Sequence, residues 1–87
     1  MSLEEKIANI VKALRKEHGI TQEELAYRAE LSIDALRKLE SGKHLSRIDT
    51  IFKLTKAFGN NPESIYVPLW TYWSESQANS DDVSKKE

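Results

Sequence analysis

The sequence contains no cysteine, and no apolar run approaches the roughly 20 residues that a membrane-spanning helix needs. Without cysteine, neither a disulfide framework nor a thiolate metal site can form. Residues 1–16 mix both charge signs where a signal peptide would carry an apolar region. These absences argue against the secreted and membrane classes. We expect a cytoplasmic protein that does not associate with a membrane, and the lack of cysteine fits a reducing compartment.

The patterns that support catalysis are also missing from the sequence. There is no glycine-rich phosphate loop. The two histidines, His18 and His44, lie far apart in the sequence and have little support from nearby acidic residues, which argues against a metal site or acid–base chemistry. We therefore predict that the protein is not an enzyme and that it uses no metal and no cofactor.

Charge is nearly balanced, with 13 basic and 14 acidic residues, so the total does not indicate a nucleic-acid binder. Its distribution is uneven, because the stretch from Arg28 to Lys56 has seven basic and four acidic residues. This excess permits a modest positive field on one side of the molecule. An ordinary mixed, solvated surface explains the charge equally well, so charge alone leaves both interpretations open.

Capping residues and apolar spacing predict helices within a single domain of 87 residues. The first helix lies between Ser2, which opens a capping box with Glu5, and Gly19, which suits the position after a helix end. The second begins at Thr21 in another capping box, and the third begins at Ser32.

Two further helices follow. The fourth opens at Ser46, with Asp49 three residues later. A short fifth helix starts at Pro62, since proline is tolerated at the first helical position. Pro68 lacks an amide and favours extended geometry at the residue before it, so the fifth helix is predicted to end near Tyr66.

The C-terminal part of the chain is less regular. Residues 67–73 are compatible with an extended segment or a short helix. Residues 74–87 are rich in Ser, Asn, Asp and Lys, with Val83 as the only aliphatic side chain larger than alanine, and this composition predicts disorder. We therefore predict a domain over residues 1–73, which includes an aromatic segment, and a disordered polar tail over residues 74–87.

Apolar residues at helical spacing predict the inner faces of the first four helices. They are Leu3, Ile7, Ile10, Val11, Leu14, Leu25, Ala26, Ala29, Ala35, Leu36, Leu39, Ile48, Ile51, Phe52, Leu54 and Phe58.

The second and third predicted helices lie very close in the sequence, with about two or three residues around Glu30 and Leu31 between them, and helices joined by so short a turn must cross steeply. This is the geometry of a helix-turn-helix, spanning roughly Thr21 to Gly42. In that arrangement the second helix presents its outer face to the major groove of DNA.

The residues around this turn resemble the phage repressor and Cro-type helix-turn-helix family, the XRE family, over roughly residues 5–66. The resemblance implies an all-α, compact, five-helix lambda-repressor-like domain that binds an operator, usually as a dimer, and regulates transcription. It rests on the run Gly19-Ile20-Thr21-Gln22-Glu23-Glu24-Leu25-Ala26, on Leu31-Ser32, Leu36, Leu39-Glu40 and Gly42-Lys43, and on Ile48 to Leu54, Lys56-Ala57 and Gly59.

The resemblance also implies roles for single residues. Gln22 corresponds to a glutamine that lies beside a DNA phosphate and buttresses the recognition helix; the alternative is an ordinary exposed residue of the first turn. Glu40 corresponds to a buried acid that pairs with a base on the first helix, here Arg15. Base-edge contacts are implied for Ser32, Ile33, Asp34 and Lys38, and backbone-phosphate contacts for Arg37, Ser41 and Lys43.

The side-chain chemistry fits these roles, because Lys38 can donate to guanine, Asp34 can accept from cytosine N4, and Ile33 can contact a thymine methyl group. Two positions depart from the family pattern. Glu30 replaces the usual glycine of the turn, which predicts strain or a different turn shape. Asp34 is repelled by phosphates, so it either rejects wrong bases or marks a surface that binds protein.

An aromatic block close to the C-terminus forms the candidate dimer interface, because tryptophan and tyrosine are favoured interface anchors. A two-fold dimer would hold two recognition helices about one DNA turn, roughly 34 Å, apart. The alternative is that the block folds back on the first and fourth helices. Its residues are Tyr66, Leu69, Trp70, Tyr72 and Trp73.

The predicted function is sequence-specific binding of double-stranded DNA by a small repressor-like regulator, as a homodimer on a palindromic operator. Two alternatives stay open: an antitoxin or restriction–modification controller with a protein partner, and a helical protein-interaction module without DNA affinity. The salt dependence of duplex binding separates the last alternative from the others.

Overall fold

A computed structural model describes residues 1–79. Within this part of the chain every regular element is an α-helix, as predicted. The five helices are α1 (Leu3–Glu17), α2 (Gln22–Arg28), α3 (Ile33–Glu40), α4 (Ile48–Ala57) and α5 (Glu63–Asn79).

The helix starts agree largely with the capping residues. The amide of Ser2 donates to Glu5 Oε1 at 2.7 Å, and the amide of Glu5 donates to Ser2 Oγ at 3.1 Å. The hydrogen bond from the Ser2 backbone, more than any other influence, holds the pKa of the Glu5 carboxyl below its usual value. Thr21 and Ser32 cap α2 and α3 as predicted.

Two capping details differ from the prediction. The α2 cap is one-sided, because the Glu24 carboxylate turns away to accept from Arg28 Nε at 2.8 Å. The cap of α4 is Arg47 rather than Ser46, and its side chain makes no capping hydrogen bond.

The hydrophobic core is built from buried side chains of all five helices. Leu25, Leu36, Leu54, Ile65 and Val11 are its largest fully buried side chains. Because Ile65 belongs to α5, the last helix is part of the folded domain and contributes to its core.

Three residues that were predicted to face inward are exposed: Ala35, Ile48 and Phe52. On α4, Ile51, Leu54 and Phe58 already form the buried stripe at spacings of three and four residues. Ile48 and Phe52 therefore lie on a different side of the same helix.

The prediction for the end of the chain was wrong in two respects. The fifth helix does not stop near Tyr66 but continues through Pro68 to Asn79, and residues 74–79 of the predicted disordered tail are helical. Residues 67–73, for which an extended segment and a short helix were both left open, are helical as well. Packing of α5 against α1 provides the physical reason, since tertiary contacts override the local preference of a single proline. The remaining residues of the predicted tail, 80–87, lie outside the described part of the chain.

Gly42 brings the end of α3 close to the first helix. Its φ of +74° is in the left-handed region, and a Cβ there would lie 3.4 Å from the Cα of Glu5. Both α3 and α5 pack against α1, so α1 is the element that determines their relative positions.

Candidate nucleic-acid interface

The turn between α2 and α3 has helix-turn-helix geometry. The amide of Leu31 donates to the Ala26 carbonyl at 2.9 Å, and the amide of Glu30 donates to the Tyr27 carbonyl at 3.2 Å. Glu30 has a φ of +58°, which confirms that this residue occupies the conformation that glycine adopts most easily. Buried Leu25 and Leu36 hold the inner sides of the two helices in the core.

Replacing Glu30 with glycine is expected to stabilise the fold by about 0.5–1 kcal/mol. The substitution removes strain of about 1–2 kcal/mol at the left-handed position, and the greater flexibility of glycine offsets part of this gain. Thermal unfolding followed by circular dichroism measures the change. Glu30→Ala is the matched control, because it removes the same charge and keeps the strain; equal melting temperatures for the two variants would contradict the prediction.

A buried polar network fixes α3 against the first two helices. Glu40 accepts from Arg15 Nε at 2.9 Å, from Arg15 Nη2 at 3.2 Å and from Gln22 Nε2 at 2.9 Å. Arg15 also donates to the Ile20 carbonyl at 3.2 Å. The Glu40 side chain is only 3% exposed, so its charge needs these partners. The predicted Arg15–Glu40 pair is present, and Gln22 joins it.

The outer side of α3 exposes the predicted polar residues. Asp34, Arg37 and Lys38 are exposed, whereas Ile33 is half-buried and packs against the core. Ile33 is thus held partly by the fold, and only its remaining surface is available to a ligand.

The two serines at the ends of α3 already make local hydrogen bonds. Ser32 Oγ accepts from the Ala35 amide at 3.1 Å. Ser41 Oγ donates to the Lys38 carbonyl at 2.6 Å and accepts from the Lys43 amide at 3.3 Å. Lys43 itself is exposed just beyond the helix. Ser32 keeps its hydroxyl proton for a ligand, while the Ser41 proton is engaged.

Sequence reasoning missed a shallow groove beside α3. One part of the groove could have been predicted from helical spacing. Leu36 and Leu39 are buried, so Ala35 and Lys38, each one residue before a buried leucine and three residues apart, share a neighbouring face of α3. The contribution of the segment before α4 needed the tertiary structure. The groove, of about 180 Å³, is lined by Ala35, Lys38, Leu39, His44, Leu45, Ser46 and Thr50.

Comparisons with known proteins agree with this geometry. A helix-turn-helix family model matches residues 11–65, which include α2, α3 and α4. The chain belongs to the XRE-type helix-turn-helix family. An uncharacterized HTH-type transcriptional regulator of Methanocaldococcus jannaschii is 34% identical over 59 residues, covering 68% of this chain and 89% of that protein. No solved structure matches the chain at a significant level.

The aromatic block of this helix-turn-helix protein begins just past the matched residues and divides into two sides. Leu69 is half-buried and packs against the core. Tyr72 lies against α1, where its hydroxyl donates to the Met1 carbonyl and Lys6 Nζ is 5.8 Å from its ring centre. These two residues of the candidate dimer interface therefore contact their own chain.

The other side of the block is open. Trp70 is 62% exposed, Trp73 is 42% exposed, and their ring centres are 5.5 Å apart. Together with Tyr66, which is also exposed, they form what we call the α5 surface. These rings, with Leu3 and Leu69, line an apolar groove of about 340 Å³.

Two other kinds of site are absent from the described residues. None of their His, Asp and Glu side chains form a group of three that could hold a metal ion. None of the helices over residues 1–79 is both long enough and apolar enough to cross a membrane.

Proposed function

We propose that this protein binds double-stranded DNA sequence-specifically as a homodimer on a palindromic operator and regulates transcription in the cytoplasm. The observation that carries the proposal is the outer side of α3, exposed and held at a defined angle by the Arg15–Glu40–Gln22 network. The family and the relative's name support the same function.

The polar groups of this face divide by position and chemistry. Asp34 and Lys38, with the small side chain of Ala35 beside them, lie on the exposed side of the helix and are assigned to base edges. An alanine leaves room for close approach and can contact a thymine methyl group. In this assignment Ala35 takes over much of the apolar contact that the sequence alone ascribed to Ile33.

The phosphate contacts are assigned to residues around the ends of the recognition helix, which fix the register of the protein on the duplex. Arg37 lies beside an open groove that Gln22 and Arg15 also line, and exposed Lys43 follows the helix. Ser41 adds a short polar contact at the C-terminal end of α3, whereas Ser32, at the N-terminal end, stays assigned to a base edge.

The salt dependence of duplex binding tests the function. Fluorescence anisotropy with a genomically selected duplex and with a random duplex of equal length is expected to show a steep loss of affinity as salt rises, with a slope of about −0.9 per phosphate neutralised. The selected duplex should bind more tightly at every salt concentration. Failure of both duplexes to bind at roughly 50 mM salt would favour a protein-interaction module instead.

Two lysine substitutions test how the contacts are sorted. Lys38→Ala should cost about 1–3 kcal/mol at one base position and relax the preference there, whereas Lys43→Ala should weaken all sequences alike and reduce the salt slope by about 1. Binding to a set of single-base variants of the selected duplex measures both effects. The opposite pattern would show that the assignment of these lysines to base and phosphate is reversed.

The α5 surface is the proposed homodimer contact. Its Tyr66, Trp70 and Trp73 recur at spacings of four and three residues, which places them on one side of α5. Exposed tryptophans at such a spacing suit an isologous contact between two copies of the helix.

A further inference from the structure

A second apolar surface lies on α4 and has no role in the proposed function. Leu45, Ile48 and Phe52, which we call the α4 surface, are 61%, 60% and 56% exposed. Single exposed apolar residues are ordinary, but large apolar side chains grouped on one helix side and the segment before it mark an interaction surface. Ile48 and Phe52 are neighbours one helical turn apart.

We propose that a second copy of this chain docks here by antiparallel pairing of the two α4 helices about a two-fold axis at Phe52. Such an isologous contact brings the same apolar side chains together from both copies. The phenyl rings of Phe52 meet at the centre, and the Ile48 side chains, one from each copy, flank the two rings.

The charges that flank the α4 surface are self-complementary in this arrangement. Asp49 precedes Phe52 by three residues and Lys56 follows it by four. At about 1.5 Å per residue, antiparallel pairing places Asp49 of one copy within about 1.5 Å, along the axis, of Lys56 of the other. At about 100° per residue, both side chains project from the same side of Phe52, so the pair forms twice.

The charged side chains of α4 have few partners within a single chain, which favours a second copy as the binding partner. Asp49 contacts only the exposed Arg47, 3.2 Å away, and Lys53 and Lys56 make no ion pair among residues 1–79. An antiparallel copy gives each Lys56 an acidic partner while it covers Phe52. A DNA backbone would instead meet Asp49, which it repels, and two large apolar side chains that phosphates do not solvate.

The α4 surface is separate from the α5 surface, so each chain has two places for self-association. Two different two-fold contacts link dimers into tetramers or longer assemblies. The groove between α3 and α4 includes Leu45, so this second contact lies next to the DNA-reading face. Dimers on neighbouring operators would then bind cooperatively. That consequence rests on the proposed function, whereas the self-association itself does not require DNA.

Sedimentation equilibrium of the full chain without DNA tests the proposal, from low micromolar to hundreds of micromolar protein. The wild-type protein should exceed the mass of a dimer as concentration rises, and Phe52→Glu should stop at the dimer. Since Phe52 is more than half exposed, this variant should keep the wild-type melting curve. A wild-type protein that never exceeds a dimer, with Phe52→Glu unchanged from it, would overturn the proposal.

A charge exchange provides a second test that does not depend on Phe52. Asp49→Lys and Lys56→Asp should each weaken the second association by about tenfold or more, because like charges then face each other. The double variant should recover it to within about threefold. Both substitutions oppose the helix dipole of α4, so damage to the helix would be worst in the double variant. Recovery of the second association in the double variant therefore identifies a direct contact between Asp49 and Lys56 of two copies. Absence of this recovery overturns the proposed α4 pairing.

Three comparisons separate this inference from the others. Glu17→Lys, which changes an exposed acid on α1, is the matched control and should associate normally. If Phe52→Glu associates normally but loses binding to a single half-site, the α4 surface belongs to the DNA interface and the proposal fails. If Phe52→Glu abolishes the dimer itself and Trp70→Glu does not, α4 pairing stands and the α5 contact is rejected.

Discussion

Glu40→Ala is expected to destabilise the protein by about 3 kcal/mol or more, within the 3–5 kcal/mol typical of breaking a buried ion pair. The substitution leaves the Arg15 guanidinium and the Gln22 amide without their acceptor. Arg15 keeps 16% of its side-chain surface exposed, so water partly compensates its charge and the loss falls toward the lower end. In a domain of this size, about 3 kcal/mol lowers Tm by roughly 12 °C or more.

Two variants control this measurement. Glu24→Ala breaks an exposed pair with Arg28, and pairs of that kind contribute only about 0.3–0.5 kcal/mol. The double variant Arg15→Met, Glu40→Met replaces the buried charges with apolar side chains, and it should be more stable than Glu40→Ala because no buried charge is left alone. A Glu40→Ala melting curve that matches the wild type would show that the Arg15–Glu40–Gln22 network does not stabilise the fold.

Trp70→Glu is expected to weaken binding to a duplex with two half-sites by about 100- to 10,000-fold. In a dimer, binding of the first half-site holds the second subunit at a high effective concentration near the other half-site, and separate monomers lose this advantage. Affinity for a duplex with one half-site should stay unchanged, since the α3 face is intact. At low micromolar concentration, light scattering should report a monomer. The α4 surface, with a single aromatic residue, is expected to associate only at higher concentration.

The neighbouring position offers a matched control for this experiment. Thr71 is exposed on the same helix and lies about 100° around the helix axis from Trp70. Thr71→Glu adds the same charge outside the α5 surface and should preserve both the dimer and operator affinity. Equal operator affinity for Trp70→Glu and the wild type would reject the α5 surface as the dimer contact.

Features that depend on neighbours in the sequence were predictable. The Ser2–Glu5 box and the caps at Thr21 and Ser32 involve residues three positions apart, so their geometry follows once a helix begins. The positive φ of Glu30 was indicated only by the family resemblance, since the family usually has glycine at that position. The Arg15–Glu40 pair is not local, and it was predicted only through the family resemblance.

The extent of α5 could not be predicted from local preferences. Pro68 disfavours a helix at its own position because it lacks an amide. On this local effect the sequence predicted that the helix ends before Pro68. The burial of Ile65 and the packing of Leu69 and Tyr72 against the rest of the chain favour the continuous helix. Those contacts exist only after α1 and α5 have come together.

The helix-turn-helix from Thr21 to Gly42 was determined by the sequence itself, because caps, spacing and a short turn act over a few residues. Where a helix has apolar residues on two sides, only the tertiary structure decided which side is covered. It exposed Ala35 on α3 and Phe52 on α4, and it divided the aromatic block into a side that packs on its own chain and a side left open. The physical reason is that burial depends on which helices meet, and a helix with apolar residues on two sides does not specify by itself which side faces the core.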